Sequence, residues 1–570
     1  MKRRRFLQMA AGGAAALAAS RRLSALPWDR LFGQRGVYNG DYPFPYDPAY
    51  FDAAERIVFL DNRTAAISVV PRSGQSLDLR LVCDEKLLSS GLAGQAAEGV
   101  GDSFHFILSS LGGLPDFRYR IEYRAAGDKD GWRATPWRSV RTPLFDLRAR
   151  PLQVILISDD HTYDDADMED SVVRDPYLRE IRLNGDYVNM FVEVLLGEPD
   201  YIPGPLSVVR PMMSGFSLAS TIAYILTQEN PDLIFILGDS TGIGAGYKWA
   251  GLGLKDPDTG LTAEEYDSAC RLFWLRMRKM YSALSPTIPI YLCLGNHDGE
   301  SGYDSGRAWA KAYRRHFFPQ PGLFQGGSPD ENYYSLAWGD TRSDAARPLF
   351  IILDSESYTT QIPPRPEDWT LGAQQRLWLE QVLRTSESCR KFALFHHVIG
   401  GWPRGTNESI TSSAYGRGPL FTEEDYADFC PDPRAVEQVA LTQLMETEGV
   451  RAIFYGHDHI HHVRRISEAA GSSLRTKMFG ICAGSPKPLG ELAWYKGELW
   501  KRFYGSYGWD YREPAPISDQ ADFFGPSGYT KLTITPRDMT VEYIRSFFNH
   551  PDTNIPPALR KGDLVSATEL

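Results

Sequence analysis

Five short motifs could together bind cations and move a proton: Asp159-Asp160-His161, Gly238-Asp239, Gly295-Asn296-His297-Asp298, His396-His397 and Gly456-His457-Asp458-His459. They supply carboxylates, imidazoles and one neutral amide oxygen, a mixture that suits Mn, Fe or Zn rather than a thiolate-loving ion. Asp159 and His161, two residues apart where an apolar run stops, can point at one cation. Asp239 has two carboxylate oxygens and can bridge two cations, and Gly238 before it permits a tight turn. Asn296 is an unusual ligand type, which makes its motif the more specific one. His457 and His459 flank a single residue after another apolar run. His396 is a further candidate ligand, while His397 points elsewhere if the backbone there is extended. Singly, an Asp-x-His or a Gly-Asp is a weak signal; the set of five is not.

The elements that must position these residues are legible as buried strands. Val154-Ile155-Leu156-Ile157, Leu233-Ile234-Phe235-Ile236-Leu237, Leu349-Phe350-Ile351-Ile352-Leu353, Phe392-Ala393-Leu394-Phe395 and Ala452-Ile453-Phe454-Tyr455 are continuously apolar, as strands covered on both faces are. Helices are expected between them: Leu218, Ile222, Ile225 and Leu226 make one stripe. Another helix starts at Asp432-Pro433, carries Val436, Ala440 and Leu444 as its stripe, and stops at Gly449. A closing hairpin is expected over Tyr529 to Ile544, turning at Pro536-Arg537-Asp538. This pattern gives an α/β (α+β layered) domain. Residues from about Arg56 to Pro143 differ: Phe117 to Arg124 and Leu77 to Leu81 alternate as half-buried antiparallel strands do. They read as an all-β sandwich of immunoglobulin or fibronectin type III size, joined through a linker at Leu144 to Pro151.

The order and chemistry of the five motifs resemble the calcineurin-like metallophosphoesterases over roughly Leu152 to Arg545. Tyr333-Tyr334-Ser335-Leu336, Leu353-Asp354 and Gly449-Val450 leading into Tyr455-Gly456-His457 follow the same family's habits. The resemblance implies a four-layer α/β/β/α sandwich and a binuclear site. In it Asp159, His161 and His459 bind one metal, Asn296, His396 and His457 bind the other, and Asp239 bridges the two. It also implies hydrolysis of a small phosphate ester by in-line attack of metal-activated hydroxide. His297 would stabilise the transition state or protonate the leaving oxygen, and Asp298 would orient His297. The amino-terminal sandwich is similar to those of purple acid phosphatases and the alkaline phosphatase D family. Two positions depart from the purple enzymes: Gly242 stands where they place a metal-binding Tyr, and His161 where they have Gly. No ferric tyrosinate colour is therefore expected.

Composition sets the remaining bounds. At 570 residues more than one folding unit is expected, and 43% apolar with 23% charged residues is ordinary for a globular chain. The net charge of −11 argues against a nucleic-acid partner, which needs a basic face. Arg3-Arg4-Arg5-Phe6-Leu7-Gln8, a small apolar stretch from Met9 to Ala19 and a cleavage-like Ala16-Leu17-Ala18 resemble a twin-arginine signal peptide. The expected partner is then the twin-arginine export machinery, and the destination periplasmic or extracellular. The resulting organisation is 1–26 signal, 27–150 sandwich, 151–550 catalytic domain and 551–570 tail. Cys83, Cys270, Cys293, Cys389, Cys430 and Cys482 have no zinc-like spacing and read as packed thiols.

More modest readings accompany the sharp ones. His105, His316 and His550 are isolated and read as surface or hydrogen-bonded histidines. His461 and His462 faintly extend the last motif towards a metallo-β-lactamase pattern, but the required Asp is missing, leaving a supporting contact or strand surface. Asp164 to Asp170 is an acidic run that reads as a solvated loop. The aromatic stretch Trp494 to Tyr511 reads as packing, with a binding platform as the alternative. The same fold could also carry metal without turnover, as an exported binding or adhesion module; the completeness of the ligand set speaks against it. The loops Thr162 to Pro211, Gly242 to Asp258 and Gly490 to Tyr511 would set specificity, and their composition names no ligand.

Overall fold

The computed structural model describes residues 46–84, 88–93, 103–109, 111–129, 131–160, parts of 218–241, parts of 270–300, 307–325, 332–339, 347–357, 370–386, 389–397, 433–457, 461–465, 478–486, 522–524, 528–546 and 564–569. The signal-like segment, the acidic run, the aromatic stretch, the three specificity loops, His161, His459, His550 and Cys430 lie outside the described residues.

The first part of the described chain, through Arg141, is all-β. Strands β1 (Arg56–Phe59), β2 (Ala65–Val69), β4 (Leu88–Ala93) and β5 (Phe104–Ser109) form an antiparallel sheet in the order β1-β2-β5-β4. Strands β3 (Leu77–Cys83), β6 (Asp116–Ala125), β7 (Arg133–Ala134) and β8 (Arg138–Arg141) form a second, with β6 pairing β3, β7 and β8. The alternation in β6 sorts as its sequence requires: Phe117, Tyr119, Ile121 and Tyr123 are buried, while Arg118, Arg120 and Arg124 face outwards beside Trp132 and Trp137.

Two mixed sheets follow. The first contains β9 (Leu152–Ile157), β10 (Leu233–Leu237), β11 (Ile290–Cys293), β19 (Gly528–Ile534), β20 (Met539–Arg545) and β21 (Leu564–Glu569) in the order β11-β10-β9-β19-β20-β21. The second contains β12 (Tyr334–Ala337), β13 (Pro348–Ile352), β14 (Arg390–Leu394), β15 (Val450–Tyr455), β16 (His461–Arg465), β17 (Phe479–Ala483) and β18 (Asp522–Phe524), ordered β12-β13-β14-β15-β17-β16-β18. Helices α1 (Arg307–Phe317), α2 (Pro321–Gln325), α3 (Gly372–Thr385) and α4 (Pro433–Thr447) punctuate them.

The continuously apolar strands serve two cores at once. Leu156, Phe235 and Leu237 of the first sheet join Phe350, Phe392 and Phe454 of the second in one cluster. Their neighbours Ile351, Ala393 and Ile453 face the other way, against Leu379 and Leu383 of α3 and Leu441 and Met445 of α4. A period-2 backbone with apolar side chains on both faces produces this layering. Helical residues within 218–228 bury Leu218, Ile222, Ile225 and Leu226 as expected, and Tyr224 lies 6.4 Å from Tyr529, ring to ring.

Four details refine the sequence reading. Helix α4 starts at Pro433 and ends before Gly449 at φ 75°; among its described side chains Leu441 and Met445 are buried, while Ala440 and Leu444 are half-buried, Leu444 against the same core. The supposed tail supplies β21, paired antiparallel to β20. The 144–151 connection is pinned: Arg150 lies 4.0 Å above the Phe145 ring and 2.8 Å from Asp232. His105 and His316 are buried, and for His105 the hydrogen-bonded alternative holds, with Ser103 Oγ 3.5 Å from its Nε2.

The all-β part and the mixed sheets are locked together by buried cations. Arg278 donates to Ala54 O at 2.7 Å and Ser68 O at 2.9 Å, and Arg56 donates to Pro319 O and Ile290 O while lying over Phe318. Tyr119 adds a bond to Pro286 O at 2.7 Å. Buried guanidinium groups need such saturation, because desolvating an unpartnered charge is costly. No disulfide joins the described cysteines Cys83, Cys270, Cys293, Cys389 and Cys482.

Candidate metal centre

The motifs occupy the carboxyl ends of neighbouring parallel strands on two facing sheets. Asp159 follows β9, Asp239 follows β10, and Asn296 to Asp298 follow β11, where β9, β10 and β11 are paired in parallel. His396 follows β14 and His457 follows β15, again a parallel pair. Parallel strands carry all their carboxyl ends to one rim, which is where open α/β sheets collect ligands.

The backbone at these ends is strained. Asp159, Asp239 and His457 have φ of 54°, 56° and 69°, and they are the non-glycine residues at positive φ among the described residues. Such conformations cost about 1–3 kcal/mol each and persist where surrounding contacts enforce them. The preceding glycines are dictated by close approach. A Cβ on Gly238 would sit 2.6 Å from His396 Nδ1, and one on Gly456 would overlap Ser158 Oγ.

The donors converge. His396 Nδ1 donates to Leu237 O at 2.7 Å, which leaves the Nε2 side facing the cluster. His396 Nε2 lies 3.1 Å from Asn296 Oδ1, 3.0 Å from His457 Nδ1 and 3.2 Å from Asp239 Oδ2. Asn296 Oδ1 and His457 Nδ1 are 3.0 Å apart. Ligands held about 2.0–2.2 Å from one ion are spaced at about this separation. Donor atoms of Asp159, Asp239 and His396 also lie within 4.8 Å of one another. The field favours positive charge here. Burial lowers the His396 pKa, but Asp239, with Asp159 and Glu356 behind it, carries the group up to about 10. A cation satisfies the same electrostatics, so the residues fit a divalent or trivalent metal.

Around the donors, backbone and carboxylates fix the geometry. Asp239 Oδ1 accepts from His297 N at 2.8 Å, and Asp159 Oδ2 accepts from Ser158 Oγ at 2.5 Å and His457 N at 2.8 Å. Ser485 Oγ donates to Asp159 O at 2.7 Å. Asp160 turns away and accepts from Tyr281 OH at 2.7 Å. His297 is on the rim, about one-fifth exposed, with Nε2 3.8 Å from Asp239 Oδ2. Asp298 is buried, and its oxygens accept backbone N–H groups of Asp239, Ser240, Thr241 and Gly295 at 2.8–3.0 Å. It therefore clamps the turn that carries Asp239. Burial and the neighbouring Asp239 raise its pKa to about 6, against the lowering effect of the Gly295 and Thr241 amides.

The sequence reading missed the layer behind His396. The chain leaves β14 and bends at His396 and His397, so both rings face one cluster: His397 is 4.8 Å from His457 and 5.0 Å from His396, centroid to centroid. His397 Nδ1 meets Ser355 Oγ at 2.8 Å and Glu356 Oε1 at 2.6 Å. The signal that could have found this pair was Asp354-Ser355-Glu356, polar residues placed directly after a buried strand. His461 is buried and bonded to Thr530 Oγ1 at 3.0 Å, with its ring stacked on Tyr543.

Comparison with known proteins agrees with this geometry. Residues 214–461 match the family model described as Calcineurin-like phosphoesterase. A purple acid phosphatase, PPD1, isolated from yellow lupin (Lupinus luteus) seeds shares the fold: TM-score 0.50 at 12% identity, over 91% of this chain and 74% of that one. A Bacteroides ovatus GH5 xyloglucanase in complex with a XXXG heptasaccharide aligns at a TM-score of only 0.17 and 10% identity, over 71% of this chain and 94% of that one, and does not share the fold. No curated protein sequence matches the chain. The family match and the cluster of donors support a phosphoesterase hydrolase that binds metal, and the likeness to the lupin enzyme shows the fold.

Proposed function

We propose that the protein is a binuclear metal-dependent phosphoesterase that hydrolyses phosphate mono- or diesters. Asp159, His161 and His459 would hold one ion, Asn296, His396 and His457 the other, and Asp239 would bridge them. The observation that carries this is the convergence of Asn296, His457 and Asp239 from two sheets to 3.0–3.2 Å from His396 Nε2, with Asn296 and His457 3.0 Å from each other. When bound, two such cations neutralise phosphoryl oxygens and acidify water. The chain's own residues do the rest. Asp298 keeps the Asp239 carboxylate in place through backbone amides. His297, at the rim and 3.8 Å from Asp239, would hold a proton at the leaving oxygen.

Export belongs to the same proposal: the twin-arginine-like start would carry the folded chain to the periplasm or beyond, with an immunoglobulin-like sandwich as the amino-terminal domain. The substrate is a small phosphate ester, and the acidic chain is not proposed to bind nucleic acid. The deciding experiment is hydrolysis of p-nitrophenyl phosphate against bis-p-nitrophenyl phosphate by protein reconstituted in parallel with Mn, Fe and Zn. Turnover abolished by Asp239→Ala supports the reading, and the preferred ester separates phosphatase from phosphodiesterase. Tight metal binding with no turnover of either ester would favour a binding module on the same fold.

A further inference from the structure

We propose that His397, backed by the carboxyl group of Glu356, is a further imidazole of the cation site built by Asn296, His396 and His457. The inference rests on the metal-dependent reading above and adds a residue outside its seven ligands.

The geometry comes first. A donor nitrogen of His397 lies within 4.8 Å of those of His396 and His457. Both His397 and Glu356 are fully buried, and burying an imidazole with a carboxyl group is costly unless each is tied to a partner. On Nδ1 the hydrogen bond is to Ser355 Oγ at 2.8 Å, and Glu356 Oε1 lies beside the same nitrogen at 2.6 Å as an ionic contact. A carboxyl group on one ring nitrogen sets the tautomer and orientation of a histidine whose other nitrogen serves a metal.

The loop that presents Glu356 is itself braced. Asp354 Oδ1 accepts the N–H of Glu356 at 2.7 Å and of Ser357 at 3.2 Å. Gln375 of α3 donates to Asp354 O at 2.7 Å and accepts from Asp354 N at 2.8 Å. Asn332 donates to Ser357 Oγ at 2.8 Å and to the Asp354 carboxylate. Three segments of the chain thus hold the loop that carries Glu356 beside the His397 ring. A pair that only filled space would be served equally well by apolar side chains of similar volume.

The test uses the full, metal-stripped protein with Zn2+ and Mn2+ as probes. Dissociation constants are measured by competition with a chelating dye, and the visible spectrum of the Co2+-loaded protein is recorded. His397→Gln and Glu356→Gln are each expected to weaken binding about 10–100-fold, and His397→Gln to alter the Co2+ bands. Constants within twofold of wild type, with unchanged Co2+ bands, overturn the inference. If His397→Gln does not fold, Glu356→Gln decides by the binding criterion alone. A wild-type protein that binds neither probe overturns the metal-dependent reading and this inference with it. Tight wild-type binding with unaffected variants overturns this inference alone.

Discussion

Asp298 accepts the backbone N–H of Asp239 at 3.0 Å, so the last residue of one motif holds the carboxylate of another. The same side chain takes the amides of Ser240 and Thr241, next along the turn that Asp239 begins at φ 56°. Asp298→Asn replaces one acceptor oxygen by an N–H group aimed at backbone N–H donors. Leaving buried donors unsatisfied costs about 1–3 kcal/mol. The expected outcome is a loss of stability of that order together with weaker metal retention, read by urea unfolding and by metal content after dialysis. Wild-type metal content and stability in the variant would show that the turn holds itself.

His297→Ala is expected to lower turnover of p-nitrophenyl esters by about 100–10,000-fold, the range for loss of a proton-transferring group. Metal content should stay close to wild type, because the His297 ring is 3.8 Å from Asp239 at the rim rather than among the converging donors. Loss of metal in parallel with activity would assign His297 to the ligand set instead.

Gly238 precedes the bridging carboxylate at φ 92°, and an added Cβ would meet His396 Nδ1 and the Gly295 backbone below 3 Å. Gly238→Ala should therefore separate β10 from the His396 and Gly295 ends. The expectation is loss of metal binding larger than the loss of global stability, measured by calorimetric titration and thermal unfolding. Retained affinity would mean that the neighbouring turns yield.

Acid should act through buried histidines. Burial holds His105 down at about 4, with Arg278 and Arg56 adding to the effect; burial does the same to His316 and His461, each at about 3. Each is neutral when folded, whereas the unfolded chain takes up a proton near pH 6.5. Between pH 6.5 and the folded values the unfolded state binds more protons, so stability falls as pH falls. From pH 6.5 to 5 the loss is about 1–2 kcal/mol per histidine. Asp354, raised by burial to about 6, works the other way. The slope of stability against pH in wild type should therefore be compared with that in His316→Asn, which is expected to be flatter below pH 6.5. Identical slopes would remove His316 from the account.

A colour test addresses the purple-enzyme likeness. Gly242 stands three residues after Asp239, where a tyrosinate ligand would be needed. Iron-loaded protein should lack the strong visible charge-transfer band of a ferric tyrosinate. Its presence would require a tyrosine from elsewhere in the chain.

Some of this was legible from sequence because it depends on short-range periodicity. Apolar runs marked β9, β10, β13, β14 and β15 and hence the strand ends that carry Asp159, Asp239, His396 and His457. Pro433 marked the start of α4, and Pro536 to Asp538 marked the β19–β20 turn. Each rests on a residue's own backbone preference or on a repeat of side-chain burial, properties local to a few neighbours.

Other features were decided only by packing. Leu441 and Met445 face the core because the path of α4 across β15 sets its rotation, and a stripe of mixed apolar residues allows more than one. His105 and His316 are buried because the all-β part closes over α1, which neither segment announces alone. His397 turns towards His457 because the chain bends on leaving β14, where an extended continuation would have sent the ring to the opposite face. The sequence by itself determined which residues could bind a metal and which strands end beside them. The tertiary structure decided which of those side chains meet, because contacts such as Asp159 with His457, 298 positions apart, depend on how two sheets stack rather than on any local rule.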